Sequence, residues 1–198
     1  MKPSVKFTAI LVIALGSTIA LGQLQGCVGG IVAAGGAGTA VAVDRRTAGT
    51  IVDDEAIELK ISKAINEDRD LGEKAHINIT SYNNIVLLSG ETPTAAMRNH
   101  AVDIARHVEK VRKVYNEIAV AQPTTMQSRS EDTWITAKVK TKLLQTKEVS
   151  AANVKVVTEN RTVYLMGLVN RAEGKAAVEA ARFVDGVARV VALFEYQD

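Results

Sequence analysis

The sequence predicts an α+β chain built from two tandem copies of one module, and three features carry that prediction. The stretch beyond Asp44 repeats its own pattern. Each copy contains two β-rich runs separated by a polar turn. Each also sets helical segments before and after that pair, without the strict strand–helix alternation of a doubly wound sheet.

Taken in order, the first copy runs from about Asp53 to Ala121 and the second from about Glu131 to Asp198. A helical run opens each: Asp54-Glu55-Ala56-Ile57 onward to near Ile65, and Asp132-Thr133-Trp134-Ile135 onward to near Leu143. Ile77-Asn78-Ile79-Thr80 and Val154-Lys155-Val156-Val157 follow as first strands. The polar turns are Asn83-Asn84 and Asn160-Arg161. The second strands are Ile85-Val86-Leu87-Leu88-Ser89-Gly90 and Thr162-Val163-Tyr164-Leu165-Met166-Gly167. A second helix comes next. Thr92-Pro93 reads as its N-cap and first-turn proline in the first copy. Ala101 and Ala105, matched by Ala177 and Ala181, put small residues on one face. Val108 to Val114 and Val184 to Val190 lead into a last strand, giving the order αββαβ twice. Residues 122–130, with Gln122, Pro123 and two threonines, read as the linker.

Composition narrows the function. With 24 Lys and Arg against 22 Asp and Glu, the net charge of +2 is too even for a nucleic-acid binder. Aromatics are 4% of a chain that is 47% apolar, so the cores are built from Val, Ile, Leu and Ala. One cysteine permits no internal disulfide.

That cysteine sits at the end of an export signal. Lys2 and Lys6 precede the uncharged stretch Phe7 to Ala20, whose roughly 14 residues suit a signal-peptide core and fall short of the ~20 of a spanning helix. Leu24-Gln25-Gly26-Cys27 then resembles the lipobox of bacterial lipoproteins, with Gln25 a less usual occupant of its middle position. The pattern has a chemical reason. The Cys27 thiol accepts a diacylglyceryl group, the small Gly26 lies beside the cleaved bond, and the freed amine of Cys27 is then acylated. Each buried methylene contributes about 0.8 kcal/mol, so several chains anchor where one binds reversibly. Residues 1–26 are thus expected to be removed, and 27–52, rich in Gly and Ala, to form a lipidated tether. Val28 stands where an Asp would favour retention in the inner membrane, which directs the expectation to the outer membrane.

The αββαβ order, the glycine closing the second strand, the Ala-rich second helix and the ending Val184-Asp185-Gly186-Val187-Ala188-Arg189-Val190 resemble the BON domain. Lys110 replaces the glycine of that ending in the first copy. With the lipobox in front, the chain is similar over its whole mature length to dual-BON outer-membrane lipoproteins. The resemblance implies a periplasmic role in envelope integrity, binding of anionic phospholipid (phosphatidylglycerol or cardiolipin) through the second module, and enrichment at division sites. It implies no cofactor and no enzymatic activity.

The residues themselves mark a face for such binding. On the first helix of the second copy, Ile135, Val139 and Leu143 align as a buried stripe, and Trp134 falls roughly 140° from its centre. Ala137, Lys138 and Thr141 share the side of Trp134, while Leu144 and Lys140 point outward beside them. A Trp ring favours the membrane–water boundary, and nearby lysines attract anionic headgroups at about 1 kcal/mol each. The aligned positions of the first copy hold Ala56 and Asn66, in a more acidic setting.

Other signals are weaker. His100 and His107 are seven residues apart on a helix, a gap of two turns that is too wide for one metal ion. No nucleophile, base and acid are grouped, and Gly29 to Gly38 lacks the lysine of a phosphate loop. The expectation is therefore a non-enzymatic lipid reader. Its alternatives are an adaptor docking on the outer-membrane assembly machinery and a soluble periplasmic stress chaperone.

Overall fold

The computed structural model describes residues 44–197. Cys27, the signal segment and most of the expected tether lie outside them. The described chain is α+β, with helix α1 Ala48–Glu67, α2 Arg69–Lys74, strands β1 His76–Tyr82 and β2 Ile85–Thr92, α3 Ala95–Arg106 and β3 Lys113–Val120. The second copy repeats this as α4 Met126–Leu144, a 3-10 turn at Ala151–Asn153, β4 Val154–Glu159, β5 Thr162–Val169, α5 Arg171–Arg182 and β6 Arg189–Tyr196. The αββαβ core is present twice, with α2 and the 3-10 turn in equivalent places.

Three boundaries differ from the sequence expectation. Helix α1 starts at Ala48, inside the stretch read as tether, because the Thr47 hydroxyl caps it by accepting from the Thr50 amide at 3.1 Å. Helix α4 starts at Met126, capped by Thr125, which shortens the irregular linker to 121–125. The cap of α3 is Thr94 and not Thr92. Thr92 stays extended because it continues the ladder opposite Val120, and Pro93 then precedes the cap.

Each sheet has three strands with the hairpin's second strand in the centre: β1-β2-β3 and β4-β5-β6. The first pair is antiparallel and the second parallel, so α3 and α5 serve as crossovers. The hairpin turns use two left-handed residues each, Asn83-Asn84 (φ 53° and 63°) and Asn160-Arg161 (φ 46° and 58°), the geometry that matches strand twist. A buried aspartate on the first helix of each copy braces its turn. Asp54 accepts from the Asn83 and Asn84 amides, both at 2.8 Å, and Asp132 does the same for Asn160 and Arg161.

The central strands are buried along their whole length, which explains their unbroken apolar runs. One face of β2 (Val86, Leu88) packs on Ile57, Ile61 and Ile65 of α1 and Ala101 and Ala105 of α3. One face of β5 (Val163, Leu165, Val169) packs on Ile135, Val139, Leu143, Ala177 and Ala181. The opposite faces meet each other: Tyr82, Ile85 and Leu87 form a third core with Tyr164, Met166, Leu168 and Leu193. The result is four layers, helices–sheet–sheet–helices, in which the two modules share one seam. Polar bonds rim it. Asn83 donates to Glu195 at 2.6 Å, Arg112 pairs with Glu195 at 2.8 Å, and the Tyr82 hydroxyl donates to the Asn153 carbonyl at 3.3 Å.

Candidate functional site

The i,i+4 stripe Ile135, Val139 and Leu143 turns one side of α4 into the second module's core. The side facing away is consequently left to solvent, and Trp134 is 67% exposed there. Beside it stands Phe183, the C-cap residue of α5, at 73% exposed. Between the two runs a shallow groove of about 430 Å³, lined by Trp134, Ala137, Lys138, Thr141, Lys142, Gln145, Phe183 and Val184. Four of the six residues expected on this face line that groove. Leu144 is 75% exposed but stands outside its lining. Lys140 is exposed too, yet sits about 120° around the helix from Trp134, so Lys142 lines the groove in its place.

Lys138 has a structural task as well. Its ammonium group donates to the Asp185 carbonyl at 2.5 Å and lies 3.3 Å from the Asp185 carboxylate, tying α4 to the loop that follows Phe183. Gly186 in that loop has φ +96°, and a Cβ there would sit 3.1 Å from Ile135, so the loop lies tight on the helix. The groove's two walls are thereby held in register. The Arg182 guanidinium lies 4.8 Å from the Phe183 ring centre while pairing with Glu179 at 2.9 Å. Phe183 was not legible as a site residue because it falls past the end of its helix. The one available signal was the internal comparison, in which it aligns with His107 of the first copy.

The first module presents a different surface. Lys60 pairs with Glu109 at 3.4 Å, the counterpart of the Lys138–Asp185 tie. Ala56 and His107 replace the two aromatic residues. Leu59 is exposed, but the groove beside it is lined by Glu55 and Glu58, which repel an anionic surface. No helix among the described residues is long and apolar enough to cross a membrane.

A second constellation lies at the seam. His76, at the start of β1, Glu91 of β2 and Glu159 of β4 each offer a ligand atom, and these atoms lie within 4.8 Å of one another. Burial pushes the Glu159 carboxyl up to about 7, an effect the Asn78 amide opposes by donating to it at 2.5 Å. Burial likewise lowers the His76 imidazole below its ordinary value, with the Arg129 charge acting in the same direction.

Comparison with known proteins follows the same division into modules. The BON domain model matches residues 53–122 and 131–198. The chain is 38% identical over 188 residues to the outer membrane lipoprotein DolP of Haemophilus influenzae, covering 95% of this chain and 96% of that one. It is 42% identical over 154 residues to a 21 kDa hemolysin of Actinobacillus pleuropneumoniae, covering 78% and 79%. It is 32% identical over 157 residues to the osmotically inducible protein Y of Escherichia coli, covering 78% of each.

Proposed function

The chain belongs to the BON-domain family, and on that premise we propose that it is an outer-membrane lipoprotein, non-enzymatic, that reads anionic phospholipid through its second module. In this reading residues 1–26 are removed, Cys27 carries the lipid anchor, and the modules at 53–121 and 131–198 stand in the periplasm. The lipoprotein name of the Haemophilus influenzae relative, aligned over nearly the whole chain, supports the anchor and the location.

The observation that carries the lipid reading is the pairing of Trp134 and Phe183, two exposed aromatic rings on either side of one groove. A monomer in water gains nothing from exposing both. At a bilayer surface, ring burial is favourable and the indole N–H meets the headgroup layer. Lys142, which lines the groove, and Lys140, exposed further around α4, supply attraction to anionic headgroups, which salt screens. Envelope maintenance and enrichment at division sites follow in this proposal from recruitment to anionic lipid.

The test is sedimentation of the unlipidated protein starting at Val28 with phosphatidylglycerol-containing and with neutral vesicles. Binding is expected only to the anionic vesicles. It should weaken about tenfold in Trp134→Ala, the loss expected for one interfacial aromatic anchor. Absence of binding to either vesicle overturns the lipid reading. The groove also fits an apolar segment of an envelope protein. Loss of a specific partner in Trp134→Ala with vesicle binding intact would assign the face to that adaptor role.

A further inference from the structure

The seam between the modules holds a set of side chains that the lipid reading does not use. His76 and Glu91 come from the first module and Glu159 from the second, and their ligand atoms lie within 4.8 Å of one another. Glu91 is 3% and Glu159 6% exposed. Among the described residues, no lysine or arginine forms an ion pair with either carboxylate; the acidic oxygen of Glu159 is 3.8 Å from the His76 Nε2. Glu91 instead accepts from the Thr124 amide and hydroxyl, both at 3.3 Å, and Glu159 from Asn78. Two carboxylates buried this deeply call for a positive charge nearby.

Their surroundings define which charge fits. The adjoining cavity, about 320 Å³, is lined by His76, Asn78, Arg129, Asp132 and Glu159 among others. Asp132 is occupied by two backbone amides of the hairpin turn. Arg129 brings one positive charge, but its Nη2 donates to the Thr124 carbonyl at 2.9 Å and its buried Nε has no partner. The cavity thus sets the carboxyl groups of Asp132 and Glu159 against the single guanidinium of Arg129, and the buried Glu91 stands within reach of His76 and Glu159 beside it. One imidazole nitrogen and two carboxylate oxygens, with room for water in the remaining position, form a donor set suited to a tetrahedral zinc ion. Magnesium and calcium prefer oxygen donors alone.

We propose that His76, Glu91 and Glu159 bind a single Zn²⁺ that bridges the two modules. Its ligands come from both sides of the seam, so binding clamps the sheets together. The proposal is independent of the lipid groove, which lies on α4 and α5 and shares no residue with it.

The test is calorimetric titration of Zn²⁺ into the detergent-solubilised, chelator-treated mature protein, with Mg²⁺ as the comparison and thermal unfolding as a second readout. One equivalent of Zn²⁺ should bind and raise Tm, while Mg²⁺ does neither. His76→Ala and Glu159→Gln should each weaken Zn²⁺ binding at least tenfold and abolish the Tm rise. Glu159→Gln keeps the acceptor for Asn78 and removes a buried charge, so its metal-free form should unfold at or above the wild-type Tm. That separates loss of a ligand from loss of the fold. His100→Ala controls for surface binding, since His100 sits exposed beside Asp68 at 3.0 Å. The proposal is overturned if folded wild-type protein shows no saturable binding, if Glu159→Gln binds as wild type does, or if His100→Ala removes the binding instead.

Discussion

Single residues in this chain often serve a conformation before they serve a surface. Lys110 and Gly186 hold the same place in the two copies, and both are left-handed, at φ 69° and φ +96°. The first copy therefore carries a side chain where glycine is free of strain, and an ion pair from Lys110 to Asp53 at 2.7 Å partly offsets that cost. Arg45 shows the same economy of position. Though it precedes the first module, its guanidinium makes a bidentate pair with Glu173 of the second, at 2.7 and 2.9 Å, and also donates to the Leu168 carbonyl. Glu173 is at the same time the third residue of α5 and closes the capping box that Asn170 opens. The hydrogen bond from Arg45 lowers its carboxyl below the ordinary value of 4.5, outweighing a smaller upward push from burial. A carboxyl lowered on folding contributes stability that is present above its unfolded pKa and lost as pH falls through the folded one. Glu173→Gln should therefore cost about 2 kcal/mol at pH 7, and the gap to wild type should close below about pH 4.5, in urea unfolding followed across pH. A gap that persists unchanged at pH 3 would contradict this account.

At the level of elements, the hairpin is the unit that repeats most faithfully. Its turn takes two left-handed residues, its brace is a buried aspartate on the first helix of the copy, and its second strand passes a glycine at a close backbone approach. A Cβ on Gly90 would lie 2.1 Å from the His76 carbonyl oxygen, and one on Gly167 would lie 2.2 Å from that of Asn153. Those carbonyls belong to rigid backbone and cannot yield as a side-chain tip would. Gly167→Ala should accordingly displace the start of β4 from β5 and destabilise the protein by about 3 kcal/mol, read by chemical denaturation. Wild-type stability in that variant would mean the 3-10 turn at Ala151–Asn153 moves freely. The same element logic explains the exposed face of α4. A stripe of three residues is enough to seat the helix, so its other sides remain available for Trp134 and the lysines.

On the scale of the whole molecule, the seam decides how the modules behave. A module of about 70 residues is close to the lower limit for an independent core, and a three-stranded sheet with one bare apolar face would be less stable still. Here each sheet covers the other, and Tyr82, Leu87, Tyr164, Met166 and Leu168 are removed from water together. The wild type should unfold in a single cooperative transition. Met166→Asp places an unpartnered carboxylate in that layer while leaving the helix-facing core of β5 untouched. It should lower Tm and split the calorimetric profile into two transitions, with a loss of about 3 kcal/mol or more. One undivided transition at a reduced Tm would show that the modules are coupled by something other than this layer.

Read alone, the sequence determined the repeat, the α+β class, the strands and their turns, and the outward side of α4, because periodicity and turn chemistry are local properties of the chain. The internal comparison also carried weight there, since Trp134 against Ala56 distinguishes the two copies without any coordinates. Tertiary structure alone decided the rest. The alternation in β2 and β5 is hidden by burial on both faces, so the unbroken run Ile85-Val86-Leu87-Leu88 could not announce a second sheet behind it. Phe183 joined Trp134, and Lys142 took the place expected for Lys140, because a groove is made by two helices and a wheel describes only one. His76, Glu91 and Glu159 are 15 and 68 residues apart along the chain, and only the packing of the two sheets brings them within reach of one ion.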